Sequence, residues 1–322
     1  MKSLSVVSLL ASVAFAQTPS SSAASPLIPS GISSGCQSFL TSFNKDTSLN
    51  SCTGPLISAA SAFGPGGSST VSPSKDTVTS SLNTLCGSST SNCNENVVRG
   101  KLADFYSACS AELTSDRKED VLRTYDVLYA LTPLKNAVCT KNDAGAFCVQ
   151  QASLPGSSSV SASGLSNALV NTGDDADIQK YLYQDAQLSR RAPVAALVPN
   201  TTTYAASNLA FLFLQPSDSS EVLCTSCTRN ILTAYINFES SVPYAPGLDS
   251  SPMLSGQKAL YDAIIEKCGK NFLGGAVQAA GSLAGNGPLS GGKNAAMKSV
   301  GSTGVASFAV ALSVVAGAFA FL

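Results

Sequence analysis

The stretch Asn96–Leu113, NVVRGKLADFYSACSAEL, decides the fold class of this chain. Its apolar residues recur three or four positions apart, as the buried face of an α-helix requires. They are Val98, Leu102, Phe105, Cys109 and Leu113. The alternating pattern that is typical of a half-buried β-strand is weak here. The stretch therefore predicts an amphipathic helix with one face in a core.

The same helical spacing recurs on the C-terminal side of this stretch. The next segment carries Val121, Tyr125, Leu128 and Leu131, until Pro133 ends or kinks the helix. Further helices are predicted over 209–214, 222–238 and 257–273. We therefore predict an all-α fold, a disulfide-stapled bundle of amphipathic helices.

The number of cysteines predicts how many disulfides hold the bundle together. The 322-residue chain has ten cysteines, and this even number predicts up to five disulfides in an oxidising compartment. The candidates are Cys36, Cys52, Cys86, Cys93, Cys109, Cys139, Cys148, Cys224, Cys227 and Cys268. Each bridge would stabilise the fold by roughly 2 to 4 kcal/mol. The pair Cys224-Thr-Ser-Cys227 has the spacing of a redox motif, but such a motif needs a βαβ context, so we expect each cysteine to join a different partner.

Two parts of the chain resemble each other. Residues 99–105 and 229–235 both read R-x-x-L-x-x-aromatic, and the helix after each carries Tyr-Asp, at 125–126 and 261–262. Two related helical hairpins would produce this pattern, with each aspartate answering the arginine of the preceding helix. A chance similarity between amphipathic helices is the alternative.

The hairpin interpretation predicts particular disulfides. Cys93 would pair with Cys139, and Cys268 would pair with one cysteine of the C-x-x-C motif. Ten cysteines allow many other connectivities. A bridge from Cys148 to the C-x-x-C motif would join the two halves of the chain into one domain.

Both termini carry targeting patterns. Lys2, an apolar stretch and small residues up to Ala16 predict a secretory signal peptide over 1–16, cleaved after Ala16. Residues 295–322 predict a glycosylphosphatidylinositol (GPI) signal, because small residues, a polar spacer and an apolar end follow one another, with Asn294 as the attachment site. A second small triplet, 290–292, is an alternative site. A transmembrane helix over 305–322 is the alternative for the tail, since it could span roughly 30 Å.

Composition divides the remaining chain into segments. Ser-, Thr-, Pro- and Gly-rich stretches cannot bury enough apolar surface to offset their ordering entropy, so we expect them to be flexible. The predicted order is a flexible arm at 17–35, a helical unit at 36–152, a linker and loop region at 153–199, a second helical unit at 200–280 and a Gly-rich linker at 281–294.

Several function classes are excluded by composition. A net charge of −1 with only 12% charged residues offers no basic surface for nucleic acid. The chain has no histidine, which excludes Ser-His-Asp and Cys-His catalysis and His-containing zinc sites. We expect no cofactor and no metal. Carboxylates are the remaining acid and base candidates, and their spacing singles out no pair: Asp104, Glu112, Asp126, Glu239, Asp262 and Glu266.

Two processing signals lie near residue 200. Asn200-Thr201-Thr202 is a sequon for N-glycosylation, predicted to lie exposed in a loop after Pro199. Arg190-Arg191 is a dibasic pair that a Golgi protease could cut, and two solvated arginines are the alternative interpretation.

The run CTSCTRNILTAY at 224–235, followed by PYAPG at 243–247, resembles a group of uncharacterised GPI-anchored surface proteins of filamentous and mushroom-forming fungi. The resemblance covers about 86–272. It implies a helical body held at the plasma membrane or transferred onto wall glucan, and it implies no catalytic residues.

These patterns together predict a GPI-anchored protein of the cell surface or wall that is not an enzyme and has a structural or binding role. One alternative is a protein that binds a hydrophobic ligand such as a sterol or fatty acid, whose cavity the apolar run 211–214 could line. The other alternative is a carbohydrate-active enzyme that works with carboxylates alone.

Overall fold

The computed structural model of the chain describes residues 28–60, 75–87, 93–150, 182–184 and 198–274. This part contains ten α-helices: α1 (Ser34–Phe43), α2 (Asn50–Ala60), α3 (Lys75–Cys86), α4 (Glu95–Ala108), α5 (Ser110–Leu113), α6 (Glu119–Val138), α7 (Thr201–Ser207), α8 (Ser220–Leu223), α9 (Ser226–Ser241) and α10 (Gly256–Cys268). The predicted all-α, disulfide-stapled fold is confirmed.

The other regular elements are short. Three single-turn 3-10 helices occupy Cys148–Gln150, Leu209–Phe211 and Leu248–Ser250. Two strands of two residues each, β1 (Tyr183–Gln184) and β2 (Val198–Pro199), pair antiparallel. Strand β2 lies directly before α7 in the chain.

Helix α6 is the centre of the bundle. Fifteen of its twenty residues are buried, so neighbouring elements cover it on nearly every side. Helices α4 and α9 both pack against it. Pro133 lies inside the helix, which continues to Val138, so the sequence-based expectation that this proline could end the helix is wrong.

The stretch that predicted a single helix over 96–113 forms two helices. Helix α4 buries Val98, Leu102 and Phe105 as the spacing predicts, and ends at Ala108. The backbone then breaks at Cys109, where the disulfide to helix α1 is attached, before α5 resumes. The apolar face runs through this break, because Cys109 and Leu113 are also fully buried.

The predicted helix over 209–214 is replaced by a buried, tightly turned segment. Only Leu209–Phe211 is helical, and Asn208, Leu212 and Phe213 have positive φ values of 49°, 52° and 69°. The side chain of Asn208 holds the turn by donating to the Leu214 carbonyl at 2.9 Å. It also lies against Gly256, where a Cβ atom would overlap it.

Segment boundaries differ from the composition-based prediction at the N-terminal side. Residues 28–35 were assigned to the flexible arm, yet α1 begins at Ser34 and its N-cap is Ser33. Ile28 and Ile32 are partly buried against the core. The folded body therefore begins earlier than the Ser-rich composition suggested, because isolated isoleucines can anchor such a stretch.

Buried residues from both predicted helical units belong to a single hydrophobic cluster. Helix α9 from the second unit packs along α6 from the first. The bridge between Cys148 and Cys227 crosses from one unit to the other. The described parts of the two units therefore share a core, which is the outcome that a bridge from Cys148 would imply.

Candidate functional site

All ten cysteines are paired, and the prediction of five disulfides is confirmed. The bridges are Cys36–Cys109, Cys52–Cys93, Cys86–Cys139, Cys148–Cys227 and Cys224–Cys268. The two cysteines of the C-x-x-C motif join different partners, as the sequence predicted. The motif therefore offers no dithiol for redox chemistry.

The predicted bridge between Cys93 and Cys139 is wrong. Cys93 pairs with Cys52 of helix α2, and Cys139 pairs with Cys86 at the end of helix α3. Helices α2 and α3 pack together, and α2 also contacts α6. These two helices supply the partners at the ends of the α4–α6 hairpin, and the hairpin interpretation had left them out.

Asp126 on helix α6 is the most unusual polar group of the fold. Its side chain is fully buried, and it accepts three hydrogen bonds from the connection between α9 and α10. The Tyr244 hydroxyl donates at 2.5 Å, the Ser251 hydroxyl at 2.7 Å and the Met253 backbone N–H at 3.0 Å. One carboxylate thus ties the whole connection 242–254 to the central helix.

Aromatic rings close this site from the side of α6. The Tyr244 ring meets the rings of Tyr125 and Tyr129 edge to face, with centroids 5.3 Å and 5.0 Å apart. The Tyr129 hydroxyl donates to the Val242 carbonyl at 2.8 Å, which adds another bond to the same connection. Ring packing of this kind excludes water from the carboxylate.

Burial raises the pKa of Asp126 to about 7, because a charged carboxylate is poorly solvated in the core. The hydrogen bonds from Ser251, Tyr244 and Met253 lower this pKa and offset only part of the effect of burial. None of the ion pairs between described residues involves Asp126. The site can therefore hold a proton near neutral pH, although it is closed to any substrate.

The sequence assigned a different partner to Asp126, and that assignment is wrong. Arg99, on the preceding helix, pairs instead with Glu95 one turn away, at 3.5 Å. In the second Tyr-Asp copy, Asp262 pairs with Lys258 at 2.6 Å rather than with Arg229.

The other candidate carboxylates have separate surroundings. Three of them are exposed: Asp104, Asp262 and Glu266. Glu239 is half-buried, its pKa is raised by burial, and it accepts a hydrogen bond from Gln257 at 2.8 Å. No hydrogen bond between described residues joins two of the six carboxylates.

Glu112 lies beside the disulfide between Cys36 and Cys109. One carboxylate oxygen accepts from the Ser33 backbone N–H at 2.5 Å, and the other is buried with no hydrogen-bond partner. A carboxylate oxygen of Glu112 and the Sγ atoms of Cys36 and Cys109 lie within 4.8 Å of one another, which is close enough for metal ligands. Because the sulfurs are bonded to each other, they cannot act as thiolate ligands.

An open groove of about 510 Å³ runs beside helix α9. We call it the amide groove, after its three asparagines. It is lined by Glu95, Asn136, Thr140, Asn230, Thr233, Ala234, Asn237, Phe238 and Ser241. Six of these residues lie on α9, spaced at i, i+3, i+4, i+7, i+8 and i+11 from Asn230, so they form one continuous face.

The apolar run Phe211–Leu214, proposed as a possible cavity lining, is buried in the core. The amide groove has a different character, since six of its nine lining residues carry a hydroxyl or carboxamide group. Phe238 contributes little surface because it is only 3% exposed and packs edge to face on Tyr129.

The structure describes only some of the predicted processing sites. Asn200 caps the N-terminus of helix α7, its side chain accepts from the Thr203 N–H at 3.3 Å, and it is half-buried rather than in an exposed loop. Ala16, Arg190-Arg191, Asn294 and the tail at 295–322 lie outside the described residues. None of the helices in the described ranges is long and apolar enough to cross a membrane.

Sequence reasoning missed Tyr244 and Ser251 as partners of Asp126. The run PYAPG, which contains Tyr244, was noted for a resemblance and given no role. A tyrosine between two prolines in a connection is a usable signal, because prolines stiffen the segment that presents it. The groove asparagines Asn136 and Asn237 carried no signal of their own.

Comparison with known families adds one finding. Residues 22–165 match the family model named Domain of unknown function (DUF7729), which is less than half of the chain. No curated protein and no solved structure matches the chain.

Proposed function

We propose that this protein is a secreted, GPI-anchored ectodomain that acts at the cell surface or in the wall through structure or binding rather than catalysis. The observation that carries the proposal is the complete pairing of the ten cysteines. Disulfides form and persist in oxidising environments, and reducing compartments keep thiols free. The location itself is inferred from the terminal patterns at 1–16 and 295–322.

The positions of the five disulfides support a folded body that resists unfolding outside the cell. Three join helices within 36–152, one crosses to the C-terminal half, and one closes that half. They enclose sequence separations from 41 to 79 residues, so each constrains a long loop of the unfolded chain. A domain stapled in this way keeps its shape outside the cell.

The two alternative functions have less support. A hydrophobic-ligand protein was expected to line a cavity with aliphatic residues, and the run that was proposed for this role packs in the core instead. A carboxylate-only enzyme was expected to present two acids to a groove, and the amide groove contains one, Glu95, which pairs with Arg99.

The first test is enzymatic release from intact cells. Phosphatidylinositol-specific phospholipase C should release the protein, and mass spectrometry of its last peptide should find a glycolipid remnant on Asn294 or a small residue nearby. Retention with residues 305–322 intact would contradict anchoring and indicate a transmembrane tail. Retention without that tail would support covalent linkage to wall glucan.

A second measurement tests the disulfide argument separately. The intact mass of the secreted protein under alkylating conditions should show no modified cysteine before reduction and ten after it. Free thiols in the secreted form would remove the main support for an extracellular, stapled body.

A further inference from the structure

We propose that the amide groove is a binding site for a neutral carbohydrate chain. The proposal extends the surface role above by naming the class of partner. It rests on the lining of the groove and on the hydrogen-bonding capacity that the fold leaves unused there.

Three groove side chains make no hydrogen bond to the rest of the described protein: Asn136, Asn237 and Ser241. All three are exposed, on helices α6 and α9. Each carboxamide offers two N–H donors and one carbonyl acceptor, and the hydroxyl offers one donor and two lone pairs. The groove therefore presents a dense set of neutral donors and acceptors that are ready for a ligand.

The remaining polar residues are held in place and keep spare acceptors. Asn230 donates to the Lys141 carbonyl at 2.9 Å, which orients its amide and leaves its carbonyl oxygen free to accept. Thr140 and Thr233 donate to carbonyls one turn back, both at 2.7 Å, and each hydroxyl oxygen keeps lone pairs that can accept a hydrogen bond. Side chains fixed in this way lose little further entropy when a ligand binds.

Charge narrows the class of ligand. No lysine or arginine is among the described residues that line the groove, so an anionic ligand such as a phosphate or acidic sugar meets no cation in its walls. The one carboxylate, Glu95, is partly neutralised by Arg99. A single carboxylate also provides too few charged oxygen ligands for a dedicated calcium site.

The polarity of the groove lining narrows the class of ligand further. Lipids and sterols need predominantly apolar walls, and here only Ala234 and Phe238 of the nine lining residues have apolar side chains. Protein interfaces centre on exposed aromatic and arginine anchors, and the groove lining presents none. Neutral sugars carry closely spaced hydroxyls that donate and accept, which matches asparagine, threonine and serine side chains.

The shape fits a chain rather than a single sugar. The groove follows α9 from Asn230 to Ser241, eleven residues apart, which is about 16 Å of helix. It is open to solvent along this length. An oligosaccharide could therefore lie along the helix and bond to successive turns.

The test is a calorimetric titration of the purified protein with its disulfides intact. The probes are two neutral oligomers, laminarihexaose and chitohexaose, and one anionic oligomer, hexagalacturonate. We expect at least one neutral oligomer to bind and the anionic one not to bind. The two neutral probes distinguish a glucose polymer from an amino-sugar polymer as the source of the ligand.

The double variant Asn136→Ala/Asn237→Ala should weaken that binding by about tenfold or more, because it removes two hydrogen-bonding side chains. The matched control is Asn83→Ala, an exposed asparagine on helix α3 outside the groove, which should bind like the parent. Thermal unfolding of each variant checks that it is folded.

The proposal is overturned if neither neutral oligomer binds, if the double variant binds as well as the parent, or if the anionic oligomer binds best. This result is independent of anchoring, because the titration uses the protein in solution. Release by phospholipase can therefore succeed while the carbohydrate proposal fails, and the reverse is equally distinguishable.

Discussion

The two Tyr-Asp pairs, at 125–126 and 261–262, look alike in sequence and occupy opposite environments in the fold. Asp126 is fully buried, whereas the side chain of Asp262 is 59% exposed. Tyr125 is 1% exposed and Tyr261 is only partly buried. The first pair lies on the central helix α6 and the second on the peripheral helix α10.

The environment of a Tyr-Asp pair is therefore set by its position in the bundle and not by the local sequence pattern. Helix α6 is covered by neighbours on nearly every face, so its aspartate must find partners inside the core. Helix α10 keeps a solvated face, on which Asp262 makes an ion pair with Lys258 within its own helix. The aspartate of the first pair holds a connection to the core through hydrogen bonds, whereas the aspartate of the second pair lies at the solvent-exposed surface.

Replacing the buried aspartate should have the largest effect. Asp126→Ala is expected to lower the free energy of unfolding by about 2 to 4 kcal/mol, because three buried donors lose their acceptor. Denaturant unfolding of the variant measures the loss. The matched change Asp262→Ala should leave the unfolding midpoint where it is, and equal losses in the two variants would contradict the contrast drawn here.

The pH dependence of stability should separate the two aspartates next. The folded-state pKa of Asp126 is about 7, above its ordinary value of 3.8, so the folded protein binds the proton more tightly than the unfolded chain does. Its contribution to stability is therefore fully present below about pH 4 and is lost as pH rises through 7, by up to about 1.4 kcal/mol per pH unit.

This pH dependence is measured as the difference in the free energy of unfolding between the parent and Asp126→Asn over that pH range. Taking the difference removes the contribution of the other groups, which titrate in both proteins. The Asp126→Asn variant should lack the decline of stability with rising pH, and the Asp262→Asn variant should keep this decline. A difference curve that is flat with pH would show that Asp126 is not the titrating group.

A smaller effect is expected at the tyrosine that donates to the buried carboxylate. Tyr244→Phe removes one of three donors to Asp126 and should cost about 1 to 2 kcal/mol. It should also move the pH-dependent loss to higher pH, because the ionised carboxylate is then less stabilised. Tyr261→Phe on α10 is the control, and a Tyr244→Phe curve that coincides with it would argue against the tether.

The smallest effect concerns the exposed ion pair. Lys258→Ala removes the partner of Asp262, and both side chains are well solvated, at 71% and 59% exposed. We expect no measurable change in the unfolding midpoint, at low or at high salt. A clear loss that disappears in high salt would show that the second Tyr-Asp pair also contributes to stability.

Local features of the fold were predictable. Helical spacing in α4, α6, α9 and α10 was evident because an amphipathic or buried helix repeats its apolar residues at a fixed period. The hairpin interpretation predicted a bridge from Cys268 to one cysteine of the C-x-x-C motif, and the structure shows that this cysteine is Cys224. It was also predictable that the two cysteines of the C-x-x-C motif bond to different partners, since the helical context of the motif disfavours a redox dithiol.

The candidate sites were not predictable in the same way. The partners of Asp126 are 118 to 127 residues away in the sequence, so no local pattern could identify them. The bridge expected between Cys93 and Cys139 failed for the same reason, because helices α2 and α3 fold back to supply the partners. The amide groove joins residues from α4, α6 and α9 that sequence treats separately.

The helical fold and its disulfides follow from the amino-acid sequence alone, because helix periodicity and an even cysteine count are local or compositional properties. Which aspartate enters the core, which cysteines meet and which polar face stays open are outcomes of the three-dimensional fold. These outcomes depend on how helices that are distant in sequence pack together. Packing is a property of the whole chain, and no segment specifies it alone.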